Sequence, residues 1–287
     1  YLEASVHSLS RVLTLALTVT LVASSCSSGS DDTAPPAPGG GADERSPAVV
    51  LQESADATIA IDRASVVLAA ELDLAGRVLA LDAAGRVDYA AVVADVTFGA
   101  EQDGQAQELQ VVADGQTAWI GGEGAVASAF PDGARYVSGD AAQLAGADSF
   151  GPVNLVGVAL VLRGATDVEA GQVEEIDGVE TRTYTTTITF LDAVEAAGDD
   201  ADAFRSALNL TGDAEQAELD IEVAIGPDDV VRRLELVIDG GDLPVGGTYD
   251  LTISDVGDEV EVPQAPPADQ VATGPEADAL FERLLTS

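Results

Sequence analysis

The 287-residue chain carries 51 aspartates and glutamates against 12 basic residues, all of them arginine, for a formal net charge of −39 at pH 7. Nothing in it could replace the counterions of a nucleic acid, so nucleic acid is excluded as a partner, and so is a basic face for docking on a membrane. Its one histidine, His7, and one cysteine, Cys26, lie close to the N-terminus, so Ser-His-Asp, Cys-His and histidine-ligated metal sites cannot be built from the rest; the chain reads as a non-enzyme without a cofactor.

The apolar run Val12 to Val22 is too short for a membrane span, which takes roughly 20 residues, and suits the h-region of a secretory signal peptide. Ala23, Ser24, Ser25 and Cys26 close it, and a polar run follows at once. That arrangement resembles a bacterial lipobox, in which the cysteine is acylated and becomes the first residue of the mature protein. Residues 1–25 are therefore expected to be a lipoprotein signal peptide and Cys26 the site of lipid attachment. A lone cysteine cannot form an internal disulfide, which leaves acylation as its simplest use in an exported chain. Residues 26–46, rich in Ser, Asp, Pro and Gly, read as a flexible tether reaching about 25 Å. Residues 47–271 form one expected domain, and 272–287 a mobile tail.

Within the domain, Ser46 and Pro47 signal the start of an amphipathic helix running to Ala60. Val66, Leu68, Ala70, Leu72 and Leu74 then alternate with smaller or charged residues, which predicts a strand with one covered face. Val78 to Leu81 and Val87 to Phe98 read as two more strands, with Ala83, Ala84 and Gly85 at a bend between them. Asp114-Gly115 and Asp177-Gly178 mark two hairpins, Glu108–Ile120 and Asp167–Phe190. Tyr136 to Asp140 is a candidate edge segment. The apolar stretch Asn154 to Leu162 fits a buried helix or a buried strand, with the helix favoured. Leu191 to Asn209 is a predicted helix with a break at Gly198. Glu215 to Ile225, Val230 to Asp239 and Thr248 to Asp255 complete a mostly antiparallel, meandering sheet with one wet and one covered face.

No motif adds chemistry to this pattern. Ala147-Asp148-Ser149-Phe150-Gly151 approaches a nucleophile elbow but has no base to serve it, and Asp199, Asp200 and Asp202 lack the ligand spacing and glycine of a calcium loop.

The order of elements resembles the actinobacterial cell-envelope lipoproteins of the LppX/LprG type, related in fold to the LolA and LolB carriers. The resemblance rests on the lipobox, on the helix leading into Ser65-Val66-Val67-Leu68, and on the hairpin Asp177-Gly178-Val179-Glu180-Thr181-Arg182-Thr183-Tyr184. The strand Val230-Val231-Arg232-Arg233-Leu234 and the ending from Val256-Gly257 to Val271 belong to it as well. It implies an α+β fold, a curved, mostly antiparallel half-open β-barrel whose concave face is covered by helices and holds acyl chains of lipids or glycolipids.

Alternation alone shows a covered face and leaves open whether that face is packed solid or hollow. Strand parity makes Val66, Leu68, Leu72, Tyr184, Ile188, Leu219, Ile221, Val223, Leu234 and Leu236, with Leu155, Val158 and Leu162 of the covering segment, the candidate lipid-binding residues. The expected function is that of a monomeric lipoprotein, anchored at the outer face of the cell membrane through Cys26, that binds an acyl lipid or glycolipid and carries it across the envelope. The alternative is a sensor or interaction lipoprotein whose groove binds a protein partner.

Overall fold

The structure, a computed structural model, describes residues 45–74, 78–102, 105–123, 126–146, 159–198, 201, 217–239 and 245–286. The expected signal peptide, Cys26, the expected tether up to residue 44, Leu155 and Val158 lie outside the described residues, whereas Arg45 and Ser46, expected in the tether, are part of the folded body.

Helix α1 (Pro47–Ile59) begins where the sequence predicts. The Ser46 hydroxyl accepts from the Val49 N–H, and Pro47 occupies the first turn, where no N–H is needed. Its face of Val50, Leu51, Ser54, Ala55 and Thr58 is buried. Among the described residues eleven strands form a single sheet: β1 (Arg63–Leu74), β2 (Val78–Asp88), β3 (Val93–Gln102), β4 (Gln105–Asp114), β5 (Thr117–Glu123), β6 (Tyr136–Asp140), β7 (Glu169–Ile176), β8 (Val179–Thr189), β9 (Glu218–Ile225), β10 (Val231–Asp239) and β11 (Val245–Ser254). Across the sheet they run β6-β5-β4-β3-β2-β1-β11-β10-β9-β8-β7, every pair antiparallel. Two meanders are thus joined along one seam, where β1 pairs with β11. The sheet is open, with β6 and β7 as its edges, as the half-open barrel expected from the sequence requires.

The edges are treated differently. Beside β6 the chain after β11 returns, the Arg135 N–H donating to the Gln270 carbonyl at 2.9 Å and the Ala272 N–H to the Tyr136 carbonyl at 2.8 Å. β7 is left in water, but it carries Glu169, Glu174 and Glu175 and a register shift between Ala170 and Val173. Charge and irregular register both oppose pairing with another chain.

Side-chain period sets the inner face. In β1, Ala64, Val66, Leu68 and Ala70 are buried, whereas Val67, Ala69 and Glu71 are exposed. The Asp177-Gly178 hairpin forms as its residues dictate, with φ of +49° and +80° at the two turn positions. Over the inner face lie α1, the 3-10 turn Val161–Gly164, α2 (Ala141–Gly146), α3 (Phe190–Ala197) and α4 (Pro275–Thr286). Of the Asn154 to Leu162 stretch, the described end, Ala159 to Leu162, is helical and buried.

Two features differ from the sequence expectation. Ala83, Ala84 and Gly85 are not a bend but the middle of β2; Gly85 is there because a Cβ would come within 2.1 Å of the Asp95 carbonyl oxygen on β3. The chain turns instead at Tyr89–Val92, with Val92 at φ +55°. The break expected at Gly198 does form: α3 ends there, with Gly198 at φ +60°, and most of the rest of the predicted Leu191–Asn209 helix lies outside the described residues. Past Ala272, where a tail outside the domain was expected, α4 puts Ala277, Leu280 and Phe281 into the core, the Phe281 ring lying where a Cβ on Gly139 of β6 would stand.

At the start of β10 a register shift between Val231 and Arg233 removes the Val231 N–H from the ladder. That buried N–H donates at 3.1 Å to the Thr58 hydroxyl, which ties the end of α1 to the sheet. Thr58→Val keeps the shape and removes the acceptor, so a loss of about 1–3 kcal/mol is expected in chemical denaturation, with Thr58→Ser close to the parent.

Candidate functional site

The inner face is a continuous aliphatic surface. Val66, Leu68, Leu162, Tyr184, Ile188, Leu219, Ile221, Val223, Leu234 and Leu236, all singled out by parity, are buried in one cluster with α1, α3 and α4. Leu72 is brought elsewhere, into a smaller cluster at the far end of β1. Leu155 and Val158 belong to the segment outside the described residues.

The face has two regimes. Val66, Leu162, Leu219, Val223 and Leu234 have 0% of their surface accessible. A space large enough for water against them would leave accessible surface, so the middle of the sheet is in closed contact with its roof. That roof is held by several polar ties. Arg163 donates to Asp56 of α1 at 2.9 Å, and Gln52 of α1 donates to the Ala165 carbonyl at 3.4 Å. The Arg45 guanidinium, just before α1, holds both oxygens of Asp229 in the β9–β10 turn at 2.8 and 3.0 Å.

Toward the opposite end of β1, β2, β3 and β11 the cover thins. Here Leu72 and Leu79 are buried, and Leu81, Ala100 and Tyr249 pack on them while remaining partly exposed. Pairing places these residues side by side on the inner face: Leu72 opposite Leu79, Leu81 opposite Ala70 and Ala100, and Tyr249 opposite Ala70 and Leu236. Partly exposed Phe98, opposite Ala83, continues the patch along β3. Half-open apolar surface of this kind, continuous with a sealed core, can receive a hydrocarbon chain at ~25 cal/mol per Å² of surface removed from water.

Sequence reading missed Leu81, Phe98 and Ala100 as part of this face. The signal was present. Had the alternation Leu79, Leu81, Ala83 been carried through Gly85 to Val87, β2 would have read as one strand and its inner residues would have followed.

The chemistry of the face is inert. Among the described residues no three His, Cys, Asp or Glu side chains are placed to hold a metal ion, and no helix is long and apolar enough to cross a membrane. The carboxylates stand on the outer face and in turns, many paired with arginine: Arg233 with Asp250 at 2.8 Å and with Glu235, Arg63 with buried Asp88 at 2.7 Å, Arg135 with Glu123 at 2.5 Å.

No family model matches the sequence, and no curated protein matches it. Among solved structures, the fold is similar to that of LprF from Mycobacterium bovis, with 17% identity, covering 76% of this chain and 95% of that one at a TM-score of 0.44. It is similar as well to the Mycobacterium tuberculosis lipoprotein LppX, with 19% identity, covering 75% and 97% at a TM-score of 0.40. MucB in complex with MucA(peri) is similar too, with 15% identity, covering 80% of this chain and 61% of that one at a TM-score of 0.28. LprF and LppX are of the type that the sequence resembles.

Burial pushes the Tyr249 phenol up to about 12 from the usual 10.0. Because the folded state then holds its proton more tightly than the unfolded chain, this contribution to stability is complete below pH 10 and is lost as pH rises toward 12. Thermal unfolding followed over that interval should fall off less steeply in Tyr249→Phe than in the parent protein.

Proposed function

We propose that the protein is an exported, lipid-anchored, non-enzymatic lipoprotein that binds acyl lipids or glycolipids on the inner face of its sheet and carries them across the cell envelope. The observation that carries this reading is the apolar inner face itself, sealed at its centre and half-open at the Leu72–Leu79–Tyr249 end. Cys26 bears the acyl anchor at the outer face of the cell membrane, and the residues between Cys26 and Arg45 give a monomeric domain reach above the bilayer.

A bound chain enters at the half-open end and extends inward as the roof lifts. Each buried CH₂ contributes ~0.8 kcal/mol, so a chain of sixteen carbons brings roughly 12 kcal/mol to set against the contacts it displaces. The polar ties of the roof are cheap to break by comparison. Asp56, the partner of Arg163, is largely exposed, and pairs of that kind are worth about 0–1 kcal/mol. Release reverses the same motion. The parity-selected residues Val66, Leu68, Leu72, Leu162, Tyr184, Ile188, Leu219, Ile221, Val223, Leu234 and Leu236, with Leu155 and Val158, line the opened face.

Purified without detergent, the protein is expected to show co-purifying acyl lipid by native mass spectrometry, or to take up labelled lipid when empty. Clean protein that takes up none overturns the reading, as does a stoichiometric protein partner seated in the groove. Cys26→Ser is expected to move the protein from the membrane fraction to the soluble fraction on cell fractionation, without changing lipid uptake by the purified domain.

A further inference from the structure

The inner stripe of β8 does not end in another hydrophobic residue. Ile188, Thr186 and Tyr184 are buried along it, and the next position of the same parity is Arg182, opposite Ile225 of β9, an exposed residue at the rim of the stripe. Arg182 stands at a cavity of about 240 Å³ whose apolar side is made by Val50 of α1, Tyr184 and Ile225. In a chain with 51 acidic residues and 12 arginines, an arginine with no carboxylate partner is conspicuous, and Arg182 makes no ion pair among the described residues.

Its neighbours leave further donors unused. Arg232, 8% exposed, gives its Nη2 to Asp228 at 2.6 Å, but its buried Nε has no acceptor. That nitrogen lies 3.2 Å from where a Cβ on Gly226, a lining residue of the same cavity, would stand. Of the two lining carboxylates, Asp229 is engaged by Arg45 through both oxygens, and Glu180 has no arginine partner. The unmet groups are therefore mainly N–H donors, and they stand where an apolar stripe ends. The net charge of −39 does not reverse this, since at physiological salt a charge is screened beyond about 8 Å.

We propose that this cavity receives the phosphate of an anionic lipid headgroup, Arg182 binding the phosphate oxygens while the acyl chains lie along Tyr184 and Ile188. The proposal rests on the lipid-binding reading and adds a class of lipid to it. A planar guanidinium suits two-point contact with a phosphate, and charge-assisted bonds of this kind are about twice as strong as neutral ones.

The test uses the purified full-length protein and phosphatidylcholine vesicles carrying a trace of fluorescent phosphatidylglycerol or fluorescent phosphatidylcholine with identical acyl chains, so that the vesicle surface is near neutral in both arms, and reads uptake of each fluorescent lipid. Parent protein is expected to favour phosphatidylglycerol by about tenfold, Arg182→Ala to lose that preference while keeping phosphatidylcholine uptake, and Arg182→Lys to fall between. Equal uptake of both lipids by the parent overturns the proposal and leaves lipid binding standing; no uptake of either overturns both. Inorganic phosphate is titrated alone as a separate arm. Saturable binding that depends on Arg182, without any lipid preference, assigns the cavity to free phosphate and overturns the headgroup assignment.

Discussion

An open sheet of eleven strands presents one broad aliphatic face, and that face has to be kept from water. Most of what is distinctive in the chain follows from this constraint. The inner positions of the first meander are small, with Ala83, Ala94, Ala113 and Ala118 buried on four successive strands, so covering groups have to approach closely. Phe281 of α4 does so over Gly139. On the second meander the inner residues are larger, and α1, Val161–Gly164 and α3 form the cover. The Thr58–Val231 bond, the Arg163–Asp56 pair and the Arg45 clasp on Asp229 are means of holding α1 and its neighbours in place.

Charge is divided as sharply as hydrophobicity. Acidic side chains occupy the outer face and the turns, where they keep the domain in water, and they would repel it from an anionic bilayer. Membrane association in the proposed scheme therefore falls to the acyl group on Cys26, while the folded part contributes only its inner face. Arg182 is the exception to the division, a cation placed at the margin of the apolar surface instead of among carboxylates.

Where one physical signal dominated, the structure could be read from the sequence. β1 and β9 alternate cleanly because one side of each is buried and the other wet, and Ser46-Pro47 starts a helix because cap and first-turn chemistry agree. The bend assigned to Ala83–Gly85 failed because a glycine signals either a turn or a close approach between backbones, and only pairing with β3 tells which. α4 was missed as part of the domain because the value of Leu280 and Phe281 depends on a gap over β6, far away in sequence. Parity sorted the inner residues of the candidate face, yet it could not show which of them the roof seals and which, like Leu81 and Tyr249, it leaves half-open. The idle donors at Arg182 and Arg232 were equally hidden, since they depend on which carboxylates reach which arginines.

The seam between β1 and β11 sets an order of events during folding. One side of β1 can pair with β2 as soon as both exist, but its other side waits for a strand roughly 180 residues later. In an exported chain, which folds once it has crossed the membrane, that wait lasts until β11 has followed β1 across. Through it, Val66, Val67 and Leu68 present unsatisfied backbone on an apolar strand, the kind of edge that recruits other chains. The finished protein protects its two outer edges, but the growing one has a third, in the middle of the future sheet, and a chaperone that shields β1 until the last strand arrives would act at the most vulnerable point of its biogenesis.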